Sequence, residues 1–335
     1  MHIVIDTHLS QEFPVQMQKL MEKFPDHQWT ITQGESQAYG AAEGSGKLVE
    51  SATVYVGGPL SEEIYSHAKG LRLHIIPYTG VNRFPLQYIR DRGILLVNNH
   101  GNALSVAERA LALTLGVSGR IVEFHNDMLL GNWHRNQPPA PVFDLWKSLV
   151  GAKVSVLGTG AIGAAYGRLL SGFNVDLLGY RRHQDREPQP PFKAMAENLR
   201  HALTGQDVIL VALPATEETQ DLLGPKELEW ARGAILVNVS RAEIIQEEAL
   251  YESLVQGCLA GAGLDVWYDY PNPYWAKGTG SRFDFGSLSN VVVSPHAASH
   301  STEGKLGQWL HTLEQLEEFL HTGTVSHTVD LNLGY

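Results

Sequence analysis

Val154-Ser155-Val156-Leu157-Gly158-Thr159-Gly160-Ala161-Ile162-Gly163 decides how this chain is read. Four strand-forming residues run straight into a G-x-G-x-x-G turn, and helix-compatible sequence continues to Leu170. In a strand–turn–helix setting Gly158 permits the tight turn. Gly160 lets the backbone approach a pyrophosphate, and Gly163 lets helix and strand pack closely. The anion then rests on unpaired N–H groups at the helix start, around Ala161 and Ile162. The glycines alone are a weak signal, but the flanking strand and helix are the context the pattern requires. The expectation is a dinucleotide site, against the alternative of a glycine-rich turn that binds nothing.

The end of the next strand bears on which dinucleotide. Sites for NAD place Asp or Glu about 20 residues on, bonded to the ribose hydroxyls. This chain has Tyr180-Arg181-Arg182-His183 there. An arginine cannot accept those hydroxyl protons, but it pairs bidentately with a 2′-phosphate and stacks on adenine. Arg181 and Arg182 therefore predict NADP, with NAD possible. In the alternative they are solvated charges on a protein that takes both.

Outward from this loop the chain alternates strands and helices. His2–Ile5, Trp29–Thr32, Thr53–Val56, Arg72–Ile76 and Ile94–Val97 read as buried strands before it. Val154–Leu157, Val175–Leu178, Val208–Ala212, Ile235–Asn238 and Val291–Ser294 form a second series. Strand–helix alternation implies parallel sheets. Ser61 opens a helix between two strands of the first series. Ser105-Val106-Ala107-Glu108 has capping-box spacing, so a long helix is expected from Ser105 through Phe124, apolar on nearly every face. Asn132–Leu145 reads as a linker or arm. Helices are expected over Ala161–Leu170, Gln246–Gln256 and Thr302–Leu320. The last carries Leu306, Trp309, Leu310, Leu313, Leu316 and Phe319 in one stripe.

The bulk numbers set bounds. A chain of 335 residues favours two domains. Its 43% hydrophobic and 18% charged content is ordinary for a globular protein. No apolar run approaches the roughly 18 residues of a membrane span. The start, Met1-His2-Ile3-Val4-Ile5-Asp6, reads as a strand, not a signal peptide. Cys258 is the one cysteine, so no intrachain disulfide forms. The expectation is a cytoplasmic protein with a small-molecule substrate. A net charge of −11 argues against a nucleic-acid partner, yet a local arginine can still hold an anion.

Several stretches, taken in order, resemble the D-2-hydroxyacid dehydrogenases, the family of phosphoglycerate dehydrogenase, glyoxylate/hydroxypyruvate reductase and formate dehydrogenase. They are Val97–Glu108 (VNNHGNALSVAE), the glycine loop, Leu213–Thr219 (LPATEET), Val237–Arg241 (VNVSR), Ala262–Val266 (AGLDV) and Val293–His296 (VSPH). The resemblance implies two doubly wound parallel-sheet α/β domains. A Rossmann cofactor domain, residues 101–298, is inserted into a flavodoxin-like substrate domain made of 1–100 and 299–335. It also implies an active site in the cleft between them and a homodimer formed through the region after the long helix. Pro214, Thr219 and Val239 are implied to line the cofactor. Asp265 is implied to bond the nicotinamide carboxamide, with a buried Asp capping a loop as the alternative.

Reducing a 2-keto acid requires a cation for the carboxylate and ketone, an acid for the developing alkoxide, and a correctly presented nicotinamide. Arg241 suits the first role through its planar fork. The backbone amides of Thr79-Gly80-Val81 are implied to hold the other carboxylate oxygen. His296 suits the second role, since an imidazole with an ordinary pKa of about 6.5 gives and takes protons near neutrality. It is one of fifteen histidines, but it stands beside Pro295 at a strand's carboxyl end. One position departs from the family. In Asp265-Val266-Trp267-Tyr268-Asp269-Tyr270-Pro271 the family's Glu, which pairs with the histidine, is Tyr270. A neutral phenol stabilises imidazolium less than a carboxylate would. Either the reduction rate falls off at lower pH than in Glu-bearing relatives, or Asp269 swings in as a displaced partner. Tyr270 also gives room to two other readings, a formate-like dehydrogenase and a non-catalytic dinucleotide sensor. The aromatic stretch Tyr268–Leu288, with Trp275, Phe283 and Phe285, is open to a role as cleft cap, dimer contact or surface loop.

Overall fold

The computed structural model describes residues 1–32, 45–133, 145–182, 187–272 and 276–335. His183, Trp275 and most of the expected arm, residues 134–144, lie outside them. The chain divides into two compact units, Met1–Asn102 with His300–Tyr335, and Ala103–Ser299.

The first unit holds a parallel sheet of β1 (His2–Asp6), β2 (Gln28–Ile31), β3 (Val54–Gly57), β4 (Leu73–Ile75) and β5 (Leu95–Val97). Its order is β2-β1-β3-β4-β5, the flavodoxin-like winding. Val54–Gly57 is buried at every residue, as a strand covered on both faces must be, which explains its unbroken apolar run. Helix Thr302–Thr322 covers one face with Trp309, Leu313, Leu316 and Phe319. Burying such a side chain contributes roughly 2 kcal/mol each. Leu310, expected in the same stripe, is exposed. Ser301 caps this helix by accepting from the Gly304 N–H, and Gly323 closes it in the left-handed conformation at φ 77°. The helix crosses the end of the first segment backbone to backbone. A Cβ on Gly101 would lie 2.1 Å from the Gly307 carbonyl oxygen, and one on Gly307 2.3 Å from that of Gly101.

Two buried polar groups in this unit, Asp6 and His74, find protein partners. Asp6 accepts from Thr32 Oγ1 at 2.5 Å and from Tyr55 Oη at 3.1 Å. His74 is wholly buried between Tyr65 Oη, 2.7 Å from Nδ1, and the Gly57 carbonyl, 3.3 Å from Nε2. Burial pushes the His74 imidazole down to about 4, although backbone partners at Gly57 and Gly58 oppose the shift.

The second unit holds seven parallel strands: β6 (Lys153–Leu157), β7 (Asp176–Tyr180), β8 (Ala194–Met195), β9 (Val208–Val211), β10 (Ile235–Asn238), β11 (Gly261–Leu264) and β12 (Val291–Val293). The order β12-β11-β10-β9-β6-β7-β8 reverses direction between β6 and β9, the Rossmann switch point. The long helix differs from its sequence reading in two ways. It begins at Ala103, so Ser105 and Glu108 lie inside it and form no capping box at its start. It ends at Ser118, because Arg120 takes a left-handed backbone at φ 52° and starts a second helix, Ile121–Leu129. The first helix buries Val106, Ala107, Ala110, Leu113 and Thr114 on one face, and Thr114 Oγ1 meets Tyr166 Oη at 2.8 Å. The second has no buried residue.

In the stretch after β11, Phe283 stacks on Tyr251 with ring centroids 4.7 Å apart, and Phe285 is buried. Arg282 and Ser281 both bind Glu247. This end of the stretch is therefore core of its own unit.

Candidate active site

Because all seven strands run parallel, their carboxyl ends share one edge of the sheet. Following the sheet order, that edge carries His296 after β12, Asp265 to Tyr270 after β11, Arg241 after β10 and Leu213–Thr219 after β9. The glycine loop follows β6, and Arg181-Arg182 follow β7. Ligands of open α/β sheets bind at this edge.

At the switch point the Ala212 N–H donates to the Leu157 carbonyl and the Gly158 N–H to that of Tyr180. Gly158 has φ 102°, and a Cβ there would lie 2.4 Å from the Ala212 oxygen. A Cβ on Gly163 would lie 2.0 Å from the Gly158 oxygen. These two glycines are demanded by packing. Gly160 is not, since among the described residues a Cβ there meets nothing within 4 Å. The space it leaves lies at the start of helix Ala161–Leu169, whose N-cap makes no side-chain hydrogen bond among the described residues. A phosphate group fits such a cradle.

Arg182 Nη2 lies 2.6 Å from Glu218 Oε1, with side chains 41% and 61% exposed. Arg181 Nη2 donates to the Glu187 carbonyl at 3.0 Å. The loop bearing Glu218 is held from within. Thr219 Oγ1 donates to the Pro214 carbonyl at 2.7 Å and accepts the Thr216 N–H at 2.8 Å. The Thr219 hydroxyl thus serves the loop's shape. Ser240 Oγ donates to the Leu213 carbonyl, joining this loop to the end of β10, where Val239 is buried.

Arg241 stands half-buried just beyond β10. Asn238 braces its turn: Nδ2 donates to the Arg241 carbonyl at 3.0 Å and Oδ1 accepts the Ser240 N–H at 3.0 Å. The guanidinium donates to the Ser240 carbonyl through Nη1 at 2.7 Å. Among the described residues it has no carboxylate partner, and a planar guanidinium fork of this kind suits a carboxylate.

His296 is half-buried with a left-handed backbone at φ 55°, a costly conformation for a non-glycine residue. Asp265 holds it there. Fully buried, Asp265 accepts the Ala297 N–H on Oδ1 and the Ala298 N–H on Oδ2, both at 3.0 Å. That is the loop-capping alternative for Asp265, with both carboxylate oxygens engaged. Tyr270 Oη lies 2.8 Å from His296 Nδ1 and accepts the Trp267 N–H at 3.2 Å. Asp269 is exposed, and its carboxylate makes no hydrogen bond among the described residues. Of the two candidates it is Tyr270, not Asp269, that meets the imidazole ring in this structure. Trp267 was missed by sequence reasoning. Its Nε1 donates to the Ser294 carbonyl at 2.9 Å, so one residue braces both the histidine's strand end and its phenol partner. No spacing in the sequence signals a contact across 27 positions.

Thr79, Gly80 and Val81 lie in the five-stranded unit, beyond the carboxyl end of β4. Thr79 Oγ1 donates to the Asn99 carbonyl at 2.7 Å, and Asn98 Nδ2 donates to the Thr79 carbonyl at 2.8 Å. Among the described residues, no group of three or more His, Cys, Asp or Glu side chains could hold a metal ion, and no helix is long and apolar enough to cross a membrane.

Residues 111–298 match the family described as D-isomer specific 2-hydroxyacid dehydrogenase, NAD binding domain. A glyoxylate reductase of Thermococcus gammatolerans is 29% identical over 254 residues, covering 75% of this chain and 74% of that protein. Glyoxylate/hydroxypyruvate reductase B of Erwinia tasmaniensis is 31% identical over 264 residues, covering 78% and 79%. The crystal structure of an NADPH-dependent glyoxylate/hydroxypyruvate reductase from Sinorhizobium meliloti, in complex with NADP and malonate, is similar in fold. Its TM-score is 0.74 at 22% identity, over 99% of this chain and 98% of that one.

Proposed function

Since the chain belongs to the D-isomer specific 2-hydroxyacid dehydrogenase family, we propose that it is a cytoplasmic NADP-preferring oxidoreductase that reduces a small 2-keto acid, of the glyoxylate or hydroxypyruvate kind, to the D-2-hydroxy acid. The observation that carries this reading is the row of groups on one sheet edge: a glycine cradle with space at Gly160 and a guanidinium at Arg241 without an acid, both among the described residues, and an imidazole at His296. The seven-stranded unit is the cofactor domain in this reading and the five-stranded unit the substrate domain.

A bound nicotinamide supplies the hydride. The Gly158–Gly163 loop and the following helix hold its pyrophosphate, and Arg182 takes the 2′-phosphate. Arg241 orients the substrate through its carboxylate and polarises the ketone, because a rigid fork binds two oxygens at once. His296 delivers the proton to the ketone oxygen through Nε2, the nitrogen that Tyr270 does not hold. Tyr270 fixes the ring without bringing negative charge, so charged imidazole gains less here than beside a carboxylate. Asp265 acts on the ring's direction through the backbone that follows it.

The test is direct. The purified protein is mixed with NADPH or NADH and a panel of 2-keto acids, and the absorbance of the reduced nicotinamide is followed. Loss of absorbance with glyoxylate or hydroxypyruvate, faster with NADPH, is the expected result. Turnover of formate-like anions alone would make it the formate-type enzyme, and tight nucleotide binding without turnover would make it a sensor.

We also propose that it works as a homodimer through the segment after the long helix. Ile121, Leu129, Leu130, Leu145 and Trp146 are exposed there, and Leu130 reaches 78%. Large apolar side chains exposed in this number ask for a covering surface, and a monomer mass by light scattering at micromolar concentration would refute the dimer.

A further inference from the structure

We propose that Glu218 sets how strongly the site prefers a 2′-phosphorylated dinucleotide, by competing with the phosphate for Arg182. The inference rests on the reading of Arg182 as a phosphate ligand given above. Arg182 follows β7, and the Gly158 N–H bonded to the Tyr180 carbonyl ties that strand end to the glycine loop. The guanidinium is already engaged there, with Glu218 Oε1 2.6 Å from Nη2.

Glu218 does not lie on a loose loop. The Thr219 N–H and the Gln220 N–H both donate to the Thr216 carbonyl, at 3.1 and 3.0 Å. The Thr219 hydroxyl closes the same turn onto Pro214. A carboxylate on a braced turn stays near the arginine even when displaced from it.

An exposed ion pair of this kind is weak, so a dianionic phosphate binding bidentately to the guanidinium wins the contest. It wins, however, against a resident partner, and it then shares the corner with a released carboxylate of the same sign. A ribose with a free 2′-hydroxyl meets neither penalty, because the carboxylate can accept the hydroxyl proton. Glu218 therefore narrows the gap between the two cofactors, a specificity-determining role that leaves the chemistry of the nicotinamide end untouched.

Calorimetry on the intact protein with two probes, adenosine 2′,5′-bisphosphate and adenosine 5′-monophosphate, tests this without turnover. Glu218→Gln is expected to bind the bisphosphate about three- to five-fold more tightly, with monophosphate binding unimproved. Arg182→Ala is expected to weaken the bisphosphate and bring the two probes together. If Glu218→Gln leaves bisphosphate affinity unmoved or weakens it while Arg182→Ala still weakens it, Glu218 is no competitor and the proposal falls, with the Arg182 reading intact. If Arg182→Ala leaves bisphosphate affinity unmoved, the 2′-phosphate is not read here and both readings fall.

Discussion

Two parallel sheets of similar construction hold particular polar groups that are partnered in different ways. In the five-stranded unit Asp6 is closed by Thr32 and Tyr55, and His74 by Tyr65 and the Gly57 carbonyl. These groups satisfy one another, as buried polar groups must. Along the carboxyl edge of the seven-stranded sheet Arg241 has no acid among the described residues, Gly160 faces open space, and His296 is held in a left-handed backbone by Asp265. A buried titratable residue is thus a poor pointer to a site by itself. Asp6 and His74 are met by protein groups, whereas Arg241 has no acid among the described residues.

Three experiments would break or sharpen that contrast. The largest effect is expected at Arg241. Arg241→Gln removes the cation and should lower kcat/KM for the keto acid by about 10²–10³, in the range of losing one strong oxyanion contact, with little change in Tm. A large loss of stability with full specific activity would mean that Arg241 belongs with the structural groups.

His74 should act on stability alone. Its folded pKa of about 4 lies below the ordinary 6.5, so the unfolded chain binds the proton first as pH falls. The stability it contributes is complete above pH 6.5 and is lost between there and pH 4. Between pH 7 and 5 the loss is about 2 kcal/mol from this residue. Urea unfolding at the two pH values should show it. His74→Gln, though less stable at pH 7, should lose correspondingly less over the window, and equal pH dependence in the two proteins would sink the account.

The smallest effect is the most discriminating. Gly160→Ala places a methyl group in open space, so Tm should hold while the dinucleotide Kd rises about ten-fold, roughly 1.4 kcal/mol. Gly163→Ala should do the reverse first, costing stability by driving Cβ into the Gly158 carbonyl. Unchanged dinucleotide affinity in Gly160→Ala would make the loop a structural turn.

The sequence carried the fold because strands buried on both faces write themselves as apolar runs. Ten of the twelve strands among the described residues are legible as apolar runs, within a residue or two at their ends. The small-residue strand Gly261–Leu264 was recognisable mainly through the Asp265 that follows it. Ala194–Met195 is two residues long and has no pattern to read. The capping-box reading at Ser105 failed because the start of that helix is prepared outside it. The Gly101 N–H donates to Asn99 Oδ1, and Asn99 Nδ2 is anchored on the Gln308 carbonyl, 209 positions away. The break at Arg120 was hidden for another reason: apolar residues continue on both sides and no proline marks it. At the candidate site, the placement of Arg241 and His296 just beyond strands was legible, and each does follow one, β10 and β12. Partnerships were not. Tyr270 meets His296 across 26 positions and Arg182 meets Glu218 across 36, distances over which side-chain type says nothing about contact.

The crossing of Gly101 and Gly307 constrains how such a sequence can drift. Most packed pairs exchange volume, one side chain growing while its neighbour shrinks. Here neither partner has anything to give up, since each hydrogen-only α-carbon already faces the other's carbonyl at close range. A descendant of this protein that acquires a side chain at one glycine cannot be rescued by any choice at the other. It must displace the whole of helix Thr302–Thr322, and with it the aromatic cover of the first sheet. The two codons are therefore frozen together for as long as this lineage keeps its helix where it is.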